Sequence, residues 1–136
     1  MEKYRLSFCT VNILTDNIAE VIIDDNIEVS MEMVEEHDKF LCSVFKGNFG
    51  VLVNKINTYS YSLEAKLLMG SVVNMKAIAS VFYSSQGMQS TQNIMEKRSM
   101  DSLNLKLFSG YELGWQKAYD WLMLELLNKS KIDHTV

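Results

Sequence analysis

Residues 54–62 gather hydrogen-bonding side chains on one short stretch: Asn54, Lys55, Asn57, Thr58, Tyr59, Ser60, Tyr61 and Ser62. Lys55 could supply an anion-binding charge, while the amides and hydroxyls fix a ligand's orientation. The two tyrosines flanking Ser60 add rigid amphipathic area of the kind used at contact surfaces. Asn54, Lys55, Asn57, Thr58, Tyr59, Ser60 and Tyr61 are therefore the candidates for binding a partner or a small ligand. The competing reading is a polar crossover loop that satisfies its own backbone, as Asn, Ser and Thr do in turns. Ser60 or Ser62 could also accept a phosphate, since a helix amino terminus receives an anion well. A permanent N-cap is the simpler role for either.

Little else in the chain carries chemistry. His37 falls on an apolar helix face with Met33 and Leu41 at i±4, so no carboxylate stands there to tune it. It reads as a structural histidine. His134 lies in a polar tail. Cys9 and Cys42 share no metal-ligand spacing with the histidines and read as inert thiols. The stretch 46–50, Lys-Gly-Asn-Phe-Gly, lacks the phosphate-loop patterns. Two histidines do not assemble a Ser-His-Asp arrangement. The expectation is a protein that is not an enzyme and needs neither cofactor nor metal.

The elements that must position the polar stretch follow from hydrophobic period. Residues 6–14 alternate as a half-buried strand, and 15–17 (Thr-Asp-Asn) is a turn leading into a second strand, 18–23. Ser30 is a plausible N-cap for a helix with Val34, His37, Phe40, Leu41, Val44 and Phe45 on one face, stopping at Gly47. The apolar, β-branched run 49–54 is a buried strand, so the polar stretch sits at its carboxyl end, where α/β proteins place sites. A helix over about 62–69 ends at Gly70. Then come a core strand over 76–83, a weak helix over 89–97 and a strand over 103–108. Ser109-Gly110-Tyr111-Glu112 spells a capping box for a long helix to about 128. The order is a β-hairpin, three αβ units and a final helix. It predicts an α/β protein with a single mixed sheet of about five strands and helices packed on it.

The 136 residues suit one domain, 1–128, with a flexible tail over 129–136. A net charge of −4 argues against a nucleic-acid partner, which would call for a basic footprint. No apolar run reaches the roughly 20 residues that span a bilayer, so no stable membrane insertion is expected. Nothing at the amino terminus reads as a signal peptide, and two cysteines imply no disulfide framework; the expected location is cytoplasmic.

Three segments carry a family resemblance: 16–23 (Asp-Asn-Ile-Ala-Glu-Val-Ile-Ile), 27–32 (Ile-Glu-Val-Ser-Met-Glu) and 118–122 (Ala-Tyr-Asp-Trp-Leu). With the order of elements, they resemble the STAS domain, the fold of bacterial anti-sigma-factor antagonists and of sulfate-transporter tails. The likeness is greatest to small STAS-like (SpoIIAA-like) proteins, and it covers residues 4–127. It implies a regulatory module that binds another protein. The antagonists carry an Asp-Ser-Ser/Thr-Gly phospho-acceptor signature at the second helix. Here Tyr61, Ser62, Leu63 and Glu64 occupy those places, so the phospho-switch does not carry over.

The last helix adds a self-association surface. Tyr111, Trp115, Ala118, Tyr119, Leu122 and Leu126 form a stripe suited to the sheet. Trp121, Met123, Leu124 and Leu127 lie outside that stripe, which points to a homodimer interface. The alternative is a tail from Asn128 that folds back over them. The expected function is thus a non-catalytic, cytoplasmic, homodimeric interaction module with a protein partner. The alternative is a carrier of a small anion, nucleotide or lipid that uses the polar stretch.

Overall fold

A computed structural model describes residues 2–134. Three strands, β1 (Glu2–Arg5), β2 (Cys9–Ile13) and β3 (Ile18–Ile23), form an antiparallel meander. After β4 (Glu28–Val29) the chain alternates: α1 (Met31–Val44), β5 (Phe49–Lys55), β6 (Ser60–Tyr61), α2 (Leu63–Leu68), β7 (Met75–Phe82), α3 (Ser85–Lys97), β8 (Leu105–Ser109) and α4 (Gly114–His134). The main sheet has six strands in the order β1-β2-β3-β5-β7-β8, with β3, β5, β7 and β8 parallel. This is the expected mixed α/β sheet. β4 and β6 pair separately as a two-stranded parallel ribbon.

The pleat sorts side chains to two cores. Val21, Val51, Val53 and Ile78 face one side and pack with Val34 and Leu41 of α1 and Ala65 of α2. Leu52, Ala77, Ala79 and Val81 face the other and pack with Ala118, Leu122 and Leu126 of α4. A parallel strand covered on both faces loses its alternation, which is why β5 reads as a continuous apolar run. Gly50 lets α4 sit close: a Cβ there would lie 3.0 Å from Leu122 Cδ2.

Several expectations change. The sheet gains a sixth strand, β1, whose Glu2-Lys3-Tyr4-Arg5 sequence carries no hydrophobic signal; charge is how an exposed edge strand resists pairing with other chains. The strand expected over 6–14 is shorter because the chain turns at Leu6, whose N–H donates to Cys9 O at 2.9 Å. α1 ends at Val44 with an extended Phe45, before Gly47. α3 begins at Ser85, four residues earlier than expected, capped by Ser84.

The capping box over 109–112 does not form. Ser109 makes no side-chain cap bond, Gly110–Glu112 is a 3-10 turn, and Leu113 takes a left-handed conformation at φ 59°. The helix starts instead at Gly114, where a Cβ would collide with the Ser109 carbonyl. Tyr111 therefore leaves the sheet-facing stripe and is exposed. α4 runs beyond 128 to His134. Residues 135–136, the end of the expected tail, lie outside the described residues, as does the His134 side chain.

Candidate functional site

The carboxyl end of β5 divides the polar stretch between the two faces of the sheet. Successive strand residues point to opposite sides, so Asn54 turns towards α4 and Lys55 towards α2 and α3. Lys55 is only 6% exposed. Its Nζ lies 4.5 Å from the centroid of the Tyr59 ring and 5.4 Å from that of Tyr61. The rings meet each other edge-on at 5.6 Å. Among the described residues Lys55 makes no hydrogen bond and no ion pair. A cation over two ring faces gains about 0.5–2 kcal/mol, less than the several kcal/mol that burying an ammonium costs. Desolvation accordingly lowers the Lys55 pKa from its ordinary 10.5 to about 8. Burial pushes the Tyr61 hydroxyl up to about 12 and that of Tyr59 well above its usual value. The Tyr59 hydroxyl is buried without a hydrogen bond of good geometry, although Tyr61 is near enough to perturb it.

The rest of the stretch serves the backbone. Asn57 Nδ2 donates to Ile23 O at 2.8 Å, and the Thr58 N–H donates to Asp25 Oδ1 at 2.8 Å. Ser60 and Tyr61 pair with Glu28 and Val29, leaving Ser60 exposed. Ser62 is the N-cap of α2, accepting from the Ala65 N–H at 3.1 Å. So Lys55, Tyr59 and Tyr61 converge, while Asn57 and Thr58 hold the loop.

On the opposite face Asn54 joins a network that the sequence reading missed. Glu20 on β3 is buried and accepts from Asn12 Nδ2 at 2.9 Å, Asn54 Nδ2 at 3.0 Å and Trp115 Nε1 at 2.8 Å. All three donors are neutral. Oδ1 of Asn12 and of Asn54 are buried and unpaired. The tryptophan ties α4 to the sheet and stacks on Tyr119 at 5.7 Å. A lone glutamate in an otherwise apolar β-strand was the available signal: such a position demands donors.

Other expectations settle individually. His37 does have a carboxylate neighbour, at i+1: its Nδ1 lies 3.1 Å from Asp38 Oδ1. Both border an apolar cavity of about 50 Å³ beneath α1. Cys9 is buried, and burial followed by the charge of Glu36 raises its thiol to about 12; Cys42 is exposed. Arg98, not singled out from sequence, is buried and donates to Lys66 O at 3.0 Å and Met69 O at 2.6 Å, closing the carboxyl end of α2; it also pairs with Asp101. Of the four residues outside the α4 stripe, Met123, Leu124 and Leu127 are exposed at 47%, 56% and 54%. Trp121 differs, folding half-buried against Phe108 with ring centroids 5.9 Å apart.

Among the described residues no cluster of His, Cys, Asp and Glu could hold a metal ion, and no helix is long and apolar enough to cross a membrane. No family model, curated protein or solved structure matches the chain.

Proposed function

We infer that this chain is a non-catalytic, STAS-like interaction module that works in the cytoplasm as a homodimer and presents the α2 entry to a protein partner. The observation that carries it is the outer face of α4. Ala118, Leu122 and Leu126 fill the core, and Met123, Leu124 and Leu127 stand about half a helical turn away in solvent. Large apolar side chains gathered on one exposed helix face mark association. A second copy of α4 laid across a two-fold axis would meet the same residues, as a self-complementary contact requires. The turn at Thr15–Asn17 borders this face and would widen the contact towards the roughly 800 Å² per partner of a stable interface.

The partner-facing end is supported by Ile56, Leu63 and Leu67, which are exposed around the exit of β5 and along α2. The non-catalytic reading is supported by what two of the buried charged groups, Glu20 and Arg98, do: Glu20 accepts three bonds that seat α4, and Arg98 closes α2. The STAS-like reading rests on the order of elements. Two unpaired cysteines suit a reducing compartment.

The test is mass measurement in solution by light scattering, on the wild type and on the Leu124→Glu, Leu127→Glu double variant. A dimer that becomes a folded monomer in the double variant is the expected result. A wild type that stays monomeric at high micromolar concentration would overturn the α4 interface.

A further inference from the structure

A cleft opens between the exit of β5 and the first turn of α3. Lys55, Thr58, Ser84, Gln86, Gly87 and Ser90 are among the residues that line it, with no acidic side chain. The cleft is shallow: the space it encloses is about 10 Å³, room for about one water molecule. An anion larger than water would sit at its mouth, with one side against the lining.

Two independent features give the cleft its sign. The first is Lys55, more than nine-tenths buried, with three ammonium donors and no acceptor bonded to them among the described residues. The second is the amino terminus of α3, a 13-residue helix. Ser84 caps it by accepting the Gly87 N–H at 3.0 Å, and the Met88 N–H reaches Ser84 O. The N–H groups of Ser85 and Gln86, at the first two helical positions, precede every intrahelical acceptor and face outward with the positive end of the dipole. Gly87 lets the two features meet: a Cβ there would lie 3.8 Å from Lys55 Cε. The Tyr59 ring, 4.5 Å from the Lys55 Nζ, walls one side of the cleft. A buried ammonium and free helical N–H groups repel cations and leave each other unsatisfied. An anion balances both at once.

We propose that this cleft is an oxyanion site for a phosphoryl group, held by the Lys55 ammonium and the backbone N–H group of Gln86, with that of Ser85, at the rim just outside the lining, reaching the anion from the mouth. The donors approach from separate elements, β5 and α3, which fits a tetrahedral acceptor with oxygens on several sides. Lysine acts there as a point charge. The site is on the sheet face opposite α4, so it stands or falls independently of the dimer.

The experiment is an amide-resolved NMR titration of the full chain with inorganic phosphate at constant ionic strength. A parallel titration uses a nucleoside monophosphate. Saturable shifts at Ser85 and Gln86 are expected. Lys55→Met should weaken phosphate binding about tenfold or more, as loss of a charge-assisted hydrogen bond does. Ser85→Pro removes one donor without breaking the helix, because proline suits the first helical position and Ser84 is already extended at φ −148°, ψ 159°. It should weaken binding severalfold, and it keeps the test decisive if the methionine variant does not fold. Equal affinity for both titrants identifies free phosphate as the ligand; tighter nucleotide binding identifies a phosphorylated molecule. No saturable shift, or unchanged affinity in a folded Lys55→Met or in Ser85→Pro, overturns the site.

Discussion

Replacing Lys55 by methionine should stabilise the protein. Methionine keeps the length of the lysine stem and its packing against Tyr59 and Tyr61 while removing the buried charge. The fall of the Lys55 pKa from 10.5 to about 8 corresponds to roughly 3 kcal/mol, at about 1.4 kcal/mol per tenfold change in proton affinity. The contact with two aromatic rings returns about 0.5–2 kcal/mol of that. The expected net gain near neutral pH is therefore about 1–3 kcal/mol. In urea this moves the unfolding midpoint up by about 1 M. The pH dependence supplies the sharper check. The unfolded chain keeps its lysine proton up to 10.5 and the folded chain loses it near 8, so in that window the unfolded state binds more protons and wild-type stability rises with pH. Lys55 faces no other titratable side chain than Tyr59 and Tyr61 among those lining the cleft or contacting its amine. Their folded pKa values are raised, so above about pH 10 the unfolded state loses those protons first and stability falls again. Urea titrations of both proteins at about pH 7, 8.5 and 10 should show the wild type closing most of its gap on the variant. A wild type flat across this range, with Lys55→Met less stable throughout, would refute the claim that Lys55 is an uncompensated buried charge.

Gly114→Ala should cost several kcal/mol in chemical denaturation, because the new Cβ runs into the Ser109 carbonyl, a backbone group rather than the end of a flexible side chain. Arg98→Ala should cost about 3 kcal/mol by the same assay, since it strips the α2 carbonyls of Lys66 and Met69 of a buried charged donor; helical content should fall with it. An aromatic disulfide reagent at pH 8 should titrate one thiol, Cys42, in the native protein. Cys9, buried and with its pKa raised to about 12, should react only after unfolding, and rapid native reaction of both thiols would contradict its burial.

Local chemistry was legible in the sequence wherever a signal and its partner lie within a few residues. Ser30 and Ser62 cap α1 and α2 as read, accepting from Met33 and Ala65 three residues on. The apolar run of β5, the stop at Gly70 with φ 74°, and the alternation of helices and strands followed from period and backbone sterics. The polar end of β5 was likewise visible, along with the surplus apolar face of the last helix.

What the tertiary structure decided is where those side chains point and whom they meet. Asn54 and Lys55 are neighbours in sequence and lie on opposite faces of the sheet, so one candidate site became two. Asn54 reaches Glu20, 34 positions away, and Trp115 reaches the same carboxylate across 95. No local pattern encodes such pairs. Lys55 read as a candidate anion-binding charge; its burial comes from Tyr59, Tyr61 and the first turn of α3, whose cap at Ser84 lay outside the weak pattern expected over 89–97. Ser109-Gly110-Tyr111-Glu112 spelled a capping box that close backbone approach at Gly114 overruled. Residue types set which bonds are possible within a turn or a strand. The packing of distant elements set which groups lost their water, and with it the charge state of Lys55 and the sign of the cleft beside it.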